Sequence, residues 1–374
     1  MRDMSSRLSS DKIKAEAANL GFIACGIAKA EPVDAVTAAA YMDWIGRNRH
    51  ASMAYLSNNM DKRLNPTLLM EGAKSIICVA LSYVPVTRLP ENEPQISVYA
   101  LGKDYHDVMR ERLSQLAERL GLVPYRYNKE ETTAADNIEN VCREGCACRD
   151  TASKDNSACN SAAPETDSVL CDTAPVTYRA FCDTAPVLER YWAERSGIGW
   201  IGKSHQLVTR KAGSMVFLGE LMVDAELEYD NPHDNMCGNC HACIDNCPTA
   251  AIWQETSDTT SFDSHRCISY QTIENRGDID ADVAAKLGRC IYGCDECQRH
   301  CPWNRQAQPT TVAEFLPSDH LLGMTEEKWR HLTTDQYRAL FKGSAVKRAK
   351  YEGLMRNISA VLTNKENNNG DNKD

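Results

Sequence analysis

The chain has 374 residues, 43% of them apolar, enough for two or three domains with sizeable cores. A formal net charge of −10 argues against a generally nucleic-acid-binding surface and leaves that role to a local basic patch. Seventeen cysteines would mean disulfides in a small secreted domain. The N-terminal MRDMSSRLSSDKIK has no apolar signal-peptide core and no twin arginine, and no run of about 18 apolar residues follows. Cytoplasmic residence, no membrane partner, and metal or redox chemistry are therefore the expectation.

Taken in chain order, residues 11–30 read as a short helix running into GFIACGIAKA. SIICVALSYVP (75–85) is a β-branched apolar run of buried-strand type. DYHDVMRERLSQLAERLGL (104–122) carries Val108, Leu113, Leu116 and Leu120 at helical spacing, with Gly121 as a stop. From about Asn128 to Leu170 the chain turns polar and loses both periods, which reads as an insertion or long flexible loop. Cys142, Cys146, Cys148 and Cys159 lie in that stretch without a scaffold or histidine, so no third metal site is assigned to them. APVLERYWAERSGIGWIGK (185–203) predicts a helix ending in a Gly-rich turn, and SMVFLGELMVD (214–224) a strand. Alternating strand and helix make the first part an α/β domain.

Cys237-x2-Cys240-x2-Cys243-x3-Cys247-Pro248 is the bacterial ferredoxin run, in which three thiolates hold one four-iron cluster and the fourth reaches a second. Zinc sites more often present paired CxxC knuckles with a longer gap. A second run, Cys294-x2-Cys297-x3-Cys301-Pro302, lacks its first cysteine, because Ile291 stands there. Two cubane clusters need eight ligands, so Cys267 or Cys290 completes the set. Cys267, in the long connection between the runs, is favoured; Cys290 sits one residue from the ferredoxin position. With the fourth cysteine of each run crossing over, one cluster takes Cys237, Cys240, Cys243 and Cys301, the other Cys247, Cys267, Cys294 and Cys297. Two such clusters relay single electrons, and over 200 residues ahead of them imply a site that receives those electrons. No GxGxxG lies between a strand and a helix to suggest a nicotinamide.

The segments YRAFCDTAPVLERYWAERSGIGWIGK, RKAGSMVFLGELMVD, CGNCHACIDNCPTAAI, RCISYQTIE and YGCDECQRHCPWNR together resemble the epoxyqueuosine reductases. The likeness extends to RLNPTLLMEGAKSIICVALSY, LGKDYHDVMRERL and GSAVKRAKYEGLMRN, covering nearly all of the chain outside 128–177. It implies an α/β cobalamin-binding domain over 1–226 with 128–177 as an insertion or flexible loop. A ferredoxin-like domain with two [4Fe-4S] clusters follows over 227–308. A short C-terminal helical segment, similar to the start of a helical repeat, occupies 309–374 and becomes a disordered polar tail from about 364. The implied reaction reduces an epoxide on a wobble-position tRNA base to the alkene of queuosine, electrons passing through the clusters to cobalamin. Asp183, the acid of the YRxFxDxAPxLER pattern, is the implied proton donor, and Arg63, His106, Lys203, Leu207, Thr209, Ser269 and Asp295 are the implied cobalamin contacts. Implied partners are tRNA and an electron donor such as a ferredoxin or flavodoxin, with the enzyme a monomer. A reductive dehalogenase or a ferredoxin-type carrier is the alternative.

Each reading has a plainer rival. An Asp shortly before a helix start is commonly an N-cap. His106 suits a partly exposed helix residue, and Lys203 and Arg63 suit solvated charges. The basic stretch of Arg338, Lys342, Lys347, Arg348, Lys350 and Arg356, against Glu352 alone, is either a tRNA phosphate contact or a solvated helix face. CDTAPV occurs twice, at 171 and 182, so Asp172 competes with Asp183 for the acid's role. Asp172 closes the polar insert, whereas Asp183 leads into a helix, and a duplication carried in with the insert makes Asp172 the spare copy.

Overall fold

A computed structural model of the chain describes residues 8–126, 174–257 and 259–370. The first helix, α1 (Ser10–Asn19), is started by Ser9, whose Oγ accepts from the Lys12 amide at 3.3 Å. It stops well before residue 30, and a reversal at Gly21 opens β1 (Ala24–Lys29), so GFIACGIAKA is mostly strand. Asp34 caps α2 (Ala35–Gly46), and α3 (Met60–Leu64) carries Arg63. The apolar run at 75 becomes β2 (Ser75–Ser82), buried at every position. The short β3 (Gln95–Ile96) precedes α4 (Tyr105–Arg119), which is started by Asp104 and stopped at Gly121 with φ +71°. Next come β4 (Val123–Pro124), β5 (Thr177–Phe181), α5 (Glu189–Arg195), the hairpin β6 (Trp200–Ile201) and β7 (Leu207–Val208), and β8 (Val216–Val223).

These strands form a sheet of order β1-β2-β8-β5-β4, antiparallel except for the β5–β4 pair. On one face Ile77, Val79 and Leu81 pack with Ile13 of α1 and Leu113 and Leu116 of α4 in one apolar core. Gly219 lets α4 lie close, since a Cβ there would stand 2.8 Å from Met109 Cε and 3.0 Å from Leu113 Cδ1. The other face is covered by α5, whose Trp192 and Ala193 are buried. Gly26 on β1 is required there, because a Cβ would meet the Ser196 carbonyl oxygen at 2.0 Å. Burial on both faces is why β2 reads as an unbroken apolar run.

The cysteine-rich part contributes α6 (Ala242–Asp245), the β9 (Ile252–Gln254)–β10 (Thr260–Phe262) hairpin, α7 (Ile268–Ile273), α8 (Ala281–Ala284), β11 (Cys290–Tyr292) and α9 (Glu296–Arg299). β11 runs parallel to β3, tying this part to the segment ahead of α4. Among the described residues the C-terminal α-helices are α10 (Asp319–Leu322), α11 (Glu326–Arg330), α12 (Thr334–Leu340) and α13 (Lys350–Gly370). Within α13, the fully buried Asn357 donates to the Thr272 and Ile291 carbonyls, both at 2.8 Å. The polar tail expected from about 364 is helical as far as Gly370. Contacts made by its side chains account for this: Asn364 donates to the Ala284 carbonyl at 2.6 Å, Lys365 pairs with Glu326, and Glu366 pairs with Arg330 at 2.8 Å.

Met1–Pro124 and Val176–Asp374 form one unit, and Tyr125–Pro175 a second. The expected insertion, with Asp172 and the cysteines at 142, 146, 148 and 159, falls almost wholly outside the described residues. Among the described residues no helix is long and apolar enough to cross a membrane.

Candidate active site

Asp183 stands just beyond β5, in the turn before α5, with φ +52°. It does not cap α5: the N-cap position is Leu188, without a side-chain cap bond. Its carboxylate points instead to α4. Tyr105 donates its hydroxyl to Asp183 Oδ2, and His106 Nε2 lies 3.8 Å from the same oxygen. His106 is turned by Asp104, whose Oδ1 is 2.7 Å from Nδ1. Tyr105 is clamped between His106 and Phe217, with ring centroids 4.1 and 4.4 Å away, and burial followed by the Asp183 charge pushes its phenol well up. The Asp183 side chain is 63% exposed and faces a cavity of about 1240 Å³.

The same cavity is lined by Cys247, Cys267, Cys294 and Cys297. Their electrostatics separate the cysteines into two groups. Cys267 feels Cys294 and Cys247, and Cys297 feels Cys267, Cys294 and Cys247. Cys243 feels Cys237, Cys301 and Cys240, and Cys301 feels Cys237 and Cys240. In each, burial is the first cause raising the thiol and the neighbouring cysteines add to it. Cys290 also approaches Cys294, as a ninth thiol beside the second set.

Of the residues implied as cobalamin contacts, Arg63, His106 and Ser269 line the cavity. Arg63 is 7% exposed; one of its terminal nitrogens donates to the Tyr55 carbonyl at 2.9 Å, and its buried Nε has no partner among the described residues. Lys203, Leu207, Thr209 and Asp295 do not line the cavity. Lys203 Nζ donates to the Gly238 carbonyl at 2.8 Å, holding the GWIGK turn to the loop of Cys237 and Cys240. Leu207 is buried in the hairpin, and Thr209 Oγ1 donates to the Gly213 carbonyl at 3.1 Å. Asp295 accepts from the Val98 amide at 2.9 Å and from Ser97 Oγ, bracing the second cysteine set against the segment after β3. Sequence reasoning missed Tyr105 and Glu189, whose carboxylate accepts from the Asp183 amide. Both lie inside stretches singled out for other residues, DYHDVM and CDTAPVLER.

The basic C-terminal stretch divides by role. Arg348 makes a two-bond contact to Glu274 at 2.8 and 2.9 Å, and Arg356 donates to the carbonyls of Gln271, Asn275 and Gly277. Arg338 pairs with Asp335 at 3.3 Å. Lys347 and Arg348 line the cavity.

The chain's sequence matches two family models: one described as epoxyqueuosine reductase QueG, DUF1730, over residues 63–139, and one described as a 4Fe-4S double cluster binding domain, over residues 236–304. It is 39% identical to the epoxyqueuosine reductase of Cellulophaga algicola over 93% of this chain and 96% of that one. Its fold is similar to that of the epoxyqueuosine reductase from Streptococcus thermophilus, with a TM-score of 0.73 at 24% identity, covering 95% of this chain and 80% of that one. An epoxyqueuosine reductase crystallised with an epoxyqueuosine-modified tRNA-Tyr stem loop superposes with a TM-score of 0.71 at 23% identity, covering 95% of this chain and 80% of that one.

Proposed function

The chain belongs to the epoxyqueuosine reductase family, and on that premise we propose that it reduces epoxyqueuosine to queuosine at the wobble position of tRNA, with Asp183 as the proton donor. The reaction takes up two electrons and two protons, and the epoxide oxygen leaves as water. The observation that carries the reading is that the Asp183 carboxylate and one full set of four cysteines open onto the same cavity. A cluster held by these four cysteines would supply electrons to the cavity into which Asp183 presents its carboxyl group.

The eight cysteines are proposed as ligands of two [4Fe-4S] clusters, in the sets 237, 240, 243, 301 and 247, 267, 294, 297, which agrees with their electrostatic grouping. The space between Asp183 and the second set fits cobalamin: it exceeds the usual range for a drug-sized ligand, and the orphaned Arg63 Nε offers a buried donor to a polar group. Cobalamin, when bound, supplies a low-potential cobalt centre for cleaving the carbon–oxygen bond. Arg63, His106 and Ser269 would hold it. Lys203, Leu207, Thr209 and Asp295 would act from behind, by fixing the loops around it. Tyr105 and His106 orient Asp183 so that its proton is delivered to the departing oxygen.

Lys347 and the free edge of Arg348 would meet tRNA phosphates at the cavity mouth, while the anticodon base is splayed inward. Division into 1–226, 227–308 and 309–374, a cytoplasmic monomer, and reduction by a ferredoxin or flavodoxin complete the reading. The test is nucleoside mass analysis of tRNA from a host lacking this gene. Accumulated epoxyqueuosine, reversed by the restored gene, is expected; unchanged queuosine would reject the proposal.

A further inference from the structure

Behind Asp183 lies a carboxyl pair that the reaction as written leaves without a role. Glu220 sits on β8 in the middle of the sheet, opposite Cys78 on β2 and Phe181 on β5, and is 1% exposed. Neither of its carboxyl oxygens has a donor among the described residues. The ionisable group that acts on it most strongly is Glu189, the first residue of α5. Two carboxylates offer each other no donor unless one of them carries a proton, so this contact is closed only by a shared proton. Glu189 in turn spends an oxygen on the Asp183 amide, where the backbone is left-handed.

A solitary buried acid on a central strand is costly to keep. An apolar residue would pack there at lower cost, so the pair needs a reason beyond stability. We propose that Glu189 is a positioning residue for the acid: paired with Glu220 through one shared proton, it anchors the Asp183 amide and so holds the 182–188 turn with the Asp183 carboxylate against Tyr105 in the cavity. The inference rests on Asp183 being the proton donor.

The groups facing the pair are Asp183 and Arg190 from the turn and α5, Cys78 from β2, and Cys182 at the end of β5, which also feels Arg110 of α4. Burial first, then the Asp183 charge, pushes Glu189 up to about 8. Burial and Glu189 push Glu220 up as well. The bond between them raises Glu220 and lowers Glu189, so the shared proton belongs to Glu220; once it is lost at still higher pH, repulsion between the two carboxylates drives Glu189 off the amide.

The test uses the full chain with clusters and cobalamin loaded. Glu189→Leu, which removes the acceptor, is expected to speed hydrogen exchange of the 182–188 amides at least about tenfold. It should lower kcat about thirtyfold while KM for a modified stem loop stays within about twofold. Glu189→Gln keeps an acceptor oxygen and should restore both readouts to within about threefold. Glu220→Gln, which is shape-conserving and keeps a donor toward Glu189 at every pH, should abolish the alkaline fall of kcat that loss of the shared proton causes. Wild-type exchange in Glu189→Leu, equal damage in the Leu and Gln variants, or an unchanged alkaline fall in Glu220→Gln would each overturn the proposal. Asp183→Asn in the same assay separates the two ideas. If it retains turnover, the acid's role fails, while the exchange readout still judges the anchor.

Discussion

Asp183 is held by three neighbours with different jobs. Tyr105 fixes its carboxylate from the cavity side, His106 lies within electrostatic reach, and Glu189 grips its amide from behind. Replacing only the proton, by Asp183→Asn, should leave cluster content and cobalamin binding intact and reduce turnover about a hundredfold or more. Single-turnover conversion of a modified stem loop measures this. Asp172→Asn, in the other copy of CDTAPV, should be nearly silent in the same assay. The Glu189–Glu220 pair also has a stability consequence. Glu189 is raised from an ordinary 4.5 to about 8 in the folded chain, so its contribution is fully present below about pH 4.5 and is lost as pH rises through 8. Glu220 is itself held well above the usual carboxylate range by burial and then by Glu189, so Glu220→Gln, which removes that ionisation, should raise the melting temperature at pH 7–8, and the gain should vanish near pH 4. A thermal scan across pH checks the sign; a loss of stability at pH 8 would mean that the pair does not hold a proton.

At the scale of elements, the acid is positioned by α5 pressed against the sheet. That close approach depends on Gly26, where a methyl group would run into the Ser196 carbonyl, a backbone atom that cannot swing aside. Gly26→Ala should cost about 3 kcal/mol, read as a lower urea midpoint with an unchanged slope. The strand runs 75–85 and 214–224 and the 104–122 helix were legible because burial on two faces, or on one helical stripe, leaves a periodic trace. The 11–30 stretch reads only as a short helix running into GFIACGIAKA because its later apolar residues suit both states, and pairing with β2 makes 24–29 a strand. The polar end of α13 carries no apolar signal, and it is ordered through Glu326, Arg330 and Ala284, distant in sequence.

Across the whole molecule, the two cysteine sets come from segments far apart in the chain, and the choice of eighth ligand tests that assembly. Cys267→Ser should leave one cluster, lowering iron from about eight to about four atoms per chain, whereas Cys290→Ser should keep both. Iron analysis with absorbance under anaerobic conditions decides; cluster loss in Cys290→Ser alone would reverse the assignment. Cys290 lies near the second set, and its place one residue from the ferredoxin position is what keeps it in contention with Cys267 in the sequence.

The chemistry is written in local patterns. Cysteine spacing names the ligand type, and the CDTAPVLER and GWIGK stretches carry the family likeness, because both are local patterns that survive without a fold. Which side chains share a cavity depends on long-range packing. Lys203 and Asp295 are cofactor contacts by the family likeness, and the fold adds hydrogen bonds from Lys203 to the distant Gly238 carbonyl and to Asp295 from the Val98 amide. Arg348 and Arg356 look like free charge in the sequence and are engaged by Glu274 and by buried carbonyls. Glu220, an unremarkable acid in a strand, becomes notable only when the sheet buries it opposite α5. Burial, long-range pairing and unmet hydrogen bonds are properties of residues brought together from distant parts of the chain, and no window of sequence contains both partners.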